Sequence, residues 1–539
     1  MRIYAFLSLV IFCLSLCAPP QTAWAAAGED GWESIEPGID YQEFTVSGPN
    51  RVFVARMDRS VQDIILDTSI AQGRLAYGLE KVSDMFIRYD DAINFVEYPS
   101  DTPYEYGLRN KVVVAINGSF LEPNTTIPYS GMIQSGWYAK WFENSEGVAF
   151  GWKYDLDVTK RQVFIGECLI TYSFKQYVKN IRTGKIFYID GVNVPRPSNS
   201  MIMYTSHYDT TTRTASDGIE ILVEMRRATL LISPNGAQGI VVDKRDNLGS
   251  TIIPFDHIVL SAHGTAAEKL RDGIQKGDEL VLSQEITNCF FTETNWVKTY
   301  AGITGDHTYL KDGLFMFHPT KNFVLEPRTA IAYNDDYIYF IVVDGRQPNV
   351  SVGMTYGQLA AFSVDNLEAK WALTMDSGGS STMVINGLVM NNPSDPCNRR
   401  IYLPMIPIDR PDPPEPGSTA PYLIPSAEDA SAPILVCERR VANGVMMIEL
   451  QPKDSSNTFE PGNAVLNQIG AQVRLGPGTN YALLATLYQV QEGVVQHQIS
   501  NLDGIYAKGA YWWKVDFGNL QGWVSQDSLI PKPVSVAPN

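Results

Sequence analysis

The stretch TMDSGGSSTMVINGLVM, residues 374–390, joins a strand end, a glycine turn and a hairpin in one continuous run. Residues 371–375 (WALTM) read as a strand that delivers Asp376 to its end. Gly378 and Gly379 then permit positive φ or a close backbone approach, and Asn386-Gly387 suits the two-residue type I′ turn of a hairpin. The combination leaves Asp376 and the backbone N–H groups near Ser380 and Ser381 facing one space, where such groups can hold an anionic oxygen.

The letters DSGG also surround the nucleophile of chymotrypsin-like proteases. His263, in LSAHGTAA, precedes Ser377 as that order requires, and Asp306 or Asp344 could serve as the orienting acid. Against this, Met375 stands where glycine is wanted, Ser380 where proline is wanted, and His263 lacks an adjacent Cys. These departures set the protease reading aside.

Residues 1–25 carry Arg2, an apolar run from Ile3 to Ala18 and a small-x-small ending at Ala23-Trp24-Ala25. This is the pattern of a secretory signal peptide cleaved after Ala25; the run is short for a membrane anchor, and Leu16 is bulky for lipidation at Cys17. The protein is therefore expected to be secreted or extracytoplasmic. Loss of Arg2 takes the formal net charge from −17 to −18, which gives no electrostatic reason to bind nucleic acid. Cys168, Cys289, Cys397 and Cys437 remain, spaced too widely for a zinc site; in an oxidising compartment they could form up to two disulfides, the pairing open, and they are expected to be structural or free thiols with no catalytic Cys among them.

Residues 409–433, rich in Pro and small polar residues, read as a linker between a large part, 31–408, and a small part, 434–535. Short runs rich in β-branched and aromatic residues dominate the large part: 52–57, 64–68, 111–118, 186–191, 220–225, 228–233, 279–286 and 337–345. Residues 356–367 (YGQLAAFSVDNL) show helical spacing. The class is α+β, a strand-rich mixed-sheet domain. The small part has V-R-x-G-P-G-T at 473–479, W-x-K-V at 512–515 and G-W-V at 522–524, and resembles a bacterial SH3-like β-barrel. That resemblance implies attachment to a cell-wall or other extracellular polymer at the cell surface; the plainer reading is a structural appendage with a Trp-rich core.

Landmarks across about 40–402 occur in order: VVVAINGSF (112–120), PRTAIAY (327–333), YFIVVDGRQ (339–347), SVGMTYGQLA (351–360), the opening stretch continued to Asp395, then Arg399 and Arg400. In this series the chain resembles the phosphodiester glycosidases, the family of the enzyme that removes N-acetylglucosamine from a sugar phosphodiester. The family usually carries Asn-Leu-Asp-Gly-Gly-Gly-Ser-Ser, so Ser377 stands where it has glycine. Asp306 and His307 stand where small residues are common, and read as accidental neighbours more readily than as an acid-base pair.

The resemblance implies hydrolysis of a glycosyl phosphodiester or a related surface carbohydrate. Asp344 and Asp376, each before a glycine at a strand end, are the natural carboxylate pair for such chemistry. Arg328 is the preferred phosphate clamp, because its planar fork can bind two oxygens, and Thr329 could add a hydroxyl donor. Arg399 and Arg400 are secondary candidates. Asn117 could meet sugar hydroxyls or fix Asp376; Gly378, Gly379, Ser380 and Ser381 would line the substrate side. No cofactor is required by this reading; the many Asp at strand ends leave room for a divalent cation, although no HExxH, CxxC or EF-hand spacing is present. The competing function is a non-catalytic envelope or exopolysaccharide-binding protein that keeps the fold. Convergence of Asp344, Asp376 and Arg328 on one pocket separates the two.

Overall fold

The computed structural model describes residues 31–533 apart from 89–94, 97–104, 107–108, 130, 143–146, 156, 168, 171–174, 227–232, 289–295, 318–323, 397–435, 453–455, 497–503 and 508. The signal segment, the linker, Arg399, Arg400 and most of the strand expected at 228–233 lie outside the described residues.

Alternation of apolar side chains builds a layered main unit. Along Tyr337–Val343, Ile338, Phe340 and Val342 face one core while Tyr339, Ile341 and Val343 face another. The neighbouring strands behave likewise, with Phe53 and Ile331 on the first side and Val54 and Ala330 on the second. A strand buried on both faces needs a cover on each. The helix Tyr356–Leu367 supplies one through Leu359, Ala360 and Phe362. Its ends match its sequence: Thr355 and Gln358 form a reciprocal capping box, and Glu368 closes it in a left-handed conformation.

The other cover is a second sheet, in the order Leu388–Val389, Met383–Ile385, Arg109–Asn117, Asn443–Gln451, Ile64–Ile70. This corrects the boundary expected at 434. Asn443–Gln451 lies between two strands of the large part, paired with both, and Val445 to Ile448 are fully buried there. The chain returns after the linker to complete this second sheet; without that strand Arg109–Asn117 and Ile64–Ile70 would each present an unpaired edge. Cys437, just before this strand, is disulfide-bonded; the other three mature cysteines lie outside the described residues.

Residues 177–284 form another eight-stranded sheet, with the helix Gly264–Gly273 against it and one parallel pair, Gly191–Val192 with Met201–Tyr204. The fold is thus α+β, strand-dominated and mixed.

The small C-terminal unit is antiparallel, built on a core that includes Val465, Val473, Trp513, Val515 and Val524. Its period-two alternation sends Trp512 and Trp523 the other way, into the core of the 177–284 sheet, where Trp523 meets Phe255 edge-on at 5.9 Å. Lys514, 8% exposed, bonds to Asp256 at 2.6 Å and Glu224 at 3.3 Å. Burial opposes ionisation of Asp256, but His257 and Lys514 outweigh it and hold the carboxyl well below its ordinary range.

Candidate active site

Trp371–Thr374 ends where its backbone reaches Asp376, and the turn beyond fixes that carboxylate. Oδ1 accepts the Ser377 N–H at 2.8 Å and Oδ2 accepts the Ser380 hydroxyl at 2.6 Å. Behind it, Asn117 ties three segments together. Its amide donates to the Asp376 carbonyl at 2.7 Å, and its oxygen accepts the Thr329 hydroxyl at 2.7 Å and the Thr382 N–H at 3.2 Å. Asn117 and Thr329 are both fully buried, so they position Asp376 and do not meet substrate.

The glycines are explained by what crowds them. Gly378 has φ +70°, a region that favours glycine, and a Cβ at Gly379 would lie 2.5 Å from Asp395 Oδ1 and 2.6 Å from Arg439 Nη2. The close approach admits an ion pair between Asp395 and Arg439, and Arg439 Nη1 reaches the Ser380 hydroxyl at 3.3 Å. Of the turn amides, those of Gly378 and Ser381 already donate to the carbonyls of Pro327 and Gly378, so the anion nest expected around Ser380 and Ser381 is partly closed. The Ser381 hydroxyl is buried with no hydrogen-bond partner.

Asp344 does not join Asp376 in the way its place in the sequence suggested. It is 1% exposed, and its carboxylate accepts the Asn391 amide at 3.2 Å and the Asn392 N–H at 2.9 Å, with Arg51 at 3.9 Å. Burial raises its carboxyl above the ordinary range. Asn391 in turn donates to the Ser381 carbonyl at 3.0 Å, so Asp344 braces the turn from behind.

Arg328 also departs from its expected role. Only 7% exposed, it donates from Nε to the Met354 carbonyl at 2.8 Å and from Nη2 to the Val324 carbonyl at 2.9 Å, so its fork is engaged by backbone and is not open to a phosphate. Its guanidinium lies 4.3 Å from the Tyr356 ring centroid.

The carboxylate whose charge reaches Asp376 is Asp306. Its backbone N–H donates to the Thr374 carbonyl at 2.7 Å, which sets residues 306–307 beside the end of the Asp376 strand. The Asp306 carboxylate is held by His307 Nδ1 at 2.9 Å and by the Tyr356 hydroxyl at 2.7 Å. Far from being an accidental neighbourhood, Asp306, His307, Tyr356 and Arg328 form one polar cluster.

The two carboxylates are driven apart in acidity. Burial, more than any other influence, pushes Asp376 up to about 6, with the Asp306 charge adding to the rise and Ser380 and Arg439 opposing it. Burial would raise Asp306 too, but hydrogen bonds from His307 and Tyr356 outweigh it and hold that carboxyl below its ordinary range. The same bond to Asp306 raises His307 above the usual imidazole value. Paired titratable groups whose environments separate their acidities divide acid and base work between them.

Sequence reasoning missed Arg439 and undervalued Asp306 and His307. Arg439 follows the Pro-rich linker, in the part that the sequence sets apart from the large one, and only the long-range pairing of the strand after it, Asn443–Gln451, brings it here, which leaves no local signal. His263, considered beside Ser377, instead belongs to the 177–284 sheet, 3.6 Å from Asp217, while the Ser377 hydroxyl donates to the Met375 carbonyl at 3.2 Å. Among the described residues no cluster of three or more His, Cys, Asp or Glu has the arrangement of a metal site.

Residues 230–402 match the model of the phosphodiester glycosidase family. The matched region contains Asp306, His307, Arg328, Asp344 and the whole Asp376 turn. No curated protein matches the chain. Among solved structures it is similar to a hypothetical protein from Synechocystis at 15% identity and TM-score 0.48, over 77% of this chain and 62% of that one. It is also similar to a protein of Burkholderia pseudomallei described as exported, at 18% identity and TM-score 0.47, over 74% of each chain. The zebrafish N-acetylglucosamine-1-phosphodiester alpha-N-acetylglucosaminidase catalytic domain, auto-inhibited by its pro-peptide, matches at 12% identity and TM-score 0.31, over 76% of this chain and 81% of that one.

Proposed function

We propose that the protein is an exported hydrolase of glycosyl phosphodiesters, with Asp376 as its central catalytic group. The observation that carries this reading is a carboxylate fixed by Ser377 and Ser380 at the end of a strand, raised to about 6 by burial, beside an ionised Asp306. Above that value Asp376 is an anion, suited to support positive charge at the anomeric carbon or to take a proton from attacking water. The leaving phosphate already has a low pKa and benefits more from cations than from an acid. The half-exposed Arg346, paired with Glu326 through Nε at 2.7 Å and with Nη2 2.8 Å from where a Cβ at Gly378 would lie, is the cation best placed to meet it, while His307 and Arg439 are ion-paired with Asp306 and Asp395 and act through those pairs.

In this reading Asp344, Asn117, Thr329 and Arg328 position the reacting groups, and neither a cofactor nor a metal ion is required. Export rests on the signal pattern at 1–25; among the described residues no helix is long and apolar enough to cross a membrane. The small C-terminal unit, SH3-like in its sequence, is proposed to hold the enzyme on a cell-wall or other surface polymer.

The test is hydrolysis of an N-acetylglucosamine-1-phosphodiester, with chromogenic glycosides alongside. Wild type should release sugar, Asp376→Asn should lose about 10²-fold or more, and release should persist in EDTA. Equal release by both proteins would remove Asp376 from the chemistry, and none by either supports the non-catalytic carbohydrate-binding reading.

A further inference from the structure

The segment that returns after the linker brings a covalent bond to the Asp376 turn as well as Arg439. Cys437, two residues before Arg439, is disulfide-bonded. Its backbone belongs to a two-stranded ladder of only two pairs, Asp395 with Cys437 and Pro396 with Val436. A ladder so short has little stability of its own. Yet both members of the ion pair behind the turn depend on it. Asp395, 5% exposed, lies in one strand, and Arg439 follows the other. Arg439 Nη1 reaches the Ser380 hydroxyl at 3.3 Å, and that hydroxyl donates to Asp376 Oδ2 at 2.6 Å. On its far side the segment is tied down by Glu438, which accepts from Ser83, and by Arg440-Val441, which pair with Glu80-Lys81. Toward the linker, among the described residues, the two-pair ladder and the disulfide hold it.

Register narrows the choice of partner. A second antiparallel ladder pairs Leu169 with Asn288 and Ile170 with Thr287, and extending it by one residue would set Cys168 opposite Cys289. Facing residues on antiparallel strands lie ~4.5–5.5 Å apart at Cα, within the ~4.4–6.8 Å that a disulfide spans. That pairing leaves Cys397 for Cys437. Cys397, outside the described residues, follows directly on Pro396 in the sequence, and Pro396 is the partner of Val436.

We propose that Cys437 is bonded to Cys397, and that this disulfide is a positioning element which holds Arg439 and Asp395 against the Asp376 turn. In the oxidising compartment that the signal pattern implies, the bond forms when the two thiols exchange with the disulfide of a thiol oxidant, which leaves as two thiols carrying both hydrogens. The consequence for turnover rests on the hydrolase reading; the pairing and the tuning of Asp376 do not.

The experiment uses the full mature chain. Proteolysis without reductant, followed by mass spectrometry, should release a peptide pair joined through Cys397 and Cys437. Cys437 joined to Cys168 or Cys289 would overturn the proposal, and this mapping needs no variant. Positioning is read from the ionisation of Asp376, by NMR of carboxyl-labelled aspartate, the signal assigned by its loss in Asp376→Asn. Arg439 opposes the rise that burial imposes on Asp376. Cys397→Ser/Cys437→Ser should therefore move that ionisation upward by about half a pH unit or more. Arg439→Gln should move it as far, and the combined variant no further, because the two act along one path. Cys168→Ser/Cys289→Ser should lower the melting temperature and leave Asp376 where it is. An Asp376 signal indifferent to Cys397→Ser/Cys437→Ser, or moved equally by loss of the other two cysteines, would overturn the positioning role. Where the enzyme turns over, the ascending limb of kcat/KM should move with the NMR value. Absence of hydrolysis in every protein, with the mapping and the NMR shifts as expected, would sink the hydrolase reading alone.

Discussion

Asp376 combines a fixed geometry with a displaced acidity, and the displacement has a sign that can be checked. Its folded-state value of about 6 lies above the ordinary 3.8, so the folded protein binds this proton more tightly than the unfolded chain does. The carboxylate charge therefore weakens folding above pH ~6, and the penalty fades as pH falls toward ~4. Replacing the charge by Asp376→Asn should raise stability by ~1–3 kcal/mol at pH ~7.5 and by little at pH ~4, as read by urea unfolding at the two pH values. Stability gained together with activity lost marks a group held in place for chemistry. Asn117 should behave in the opposite way. Asn117→Ala removes one side chain that satisfies Asp376, Thr329 and Thr382, leaving buried polar groups unpaired, and should cost ~1–3 kcal/mol in the same assay.

At the level of elements, local signals carried well. The Trp371–Thr374 strand, the Asn386-Gly387 turn with both residues at positive φ, and the helix Tyr356–Leu367 are all where their patterns place them. Each rests on information within a few residues: a β-rich run, a turn dipeptide, a Thr355/Gln358 cap. The partners of Asp376 were not legible in this way, because register between distant segments decides them. Asp306 reaches the site through its bond to Thr374, and Arg439 through a segment that re-enters after the linker. Asp344 had the same local signature as Asp376, a strand end before glycine, yet Asn391 and Asn392 enclose it. Gly379 tests the element directly. Gly379→Ala places a methyl group against both members of the Asp395–Arg439 pair, and should lower both the melting temperature and turnover.

For the whole molecule, the decisive feature is the Asn443–Gln451 strand, interior to a sheet drawn otherwise from the large part. A chain ending at residue 433 loses that strand and should be insoluble; one ending shortly after Gln451 keeps it and should be soluble but melt well below the full chain, because Trp512, Trp523 and Lys514 are then missing from the 177–284 sheet, as circular dichroism melts would show. In the full chain, Lys514 joins the two units through a buried pair with Asp256. Lys514→Ala leaves that buried carboxylate with His257 but without its ammonium partner, and should cost ~1–3 kcal/mol. Because the folded-state value of Asp256 is depressed, the pair's contribution is present above pH ~4 and is lost as pH falls below it, so the variant should differ least from wild type in acid. Site and architecture meet in one measurement, the pH dependence of kcat/KM on an N-acetylglucosamine-1-phosphodiester for wild type, Asp376→Asn and His307→Gln. The account predicts that wild-type activity rises through pH ~6 as Asp376 ionises and falls as His307 deprotonates above it, the descending limb vanishing in His307→Gln and turnover collapsing in Asp376→Asn. A flat profile, or undiminished turnover in Asp376→Asn, would contradict it.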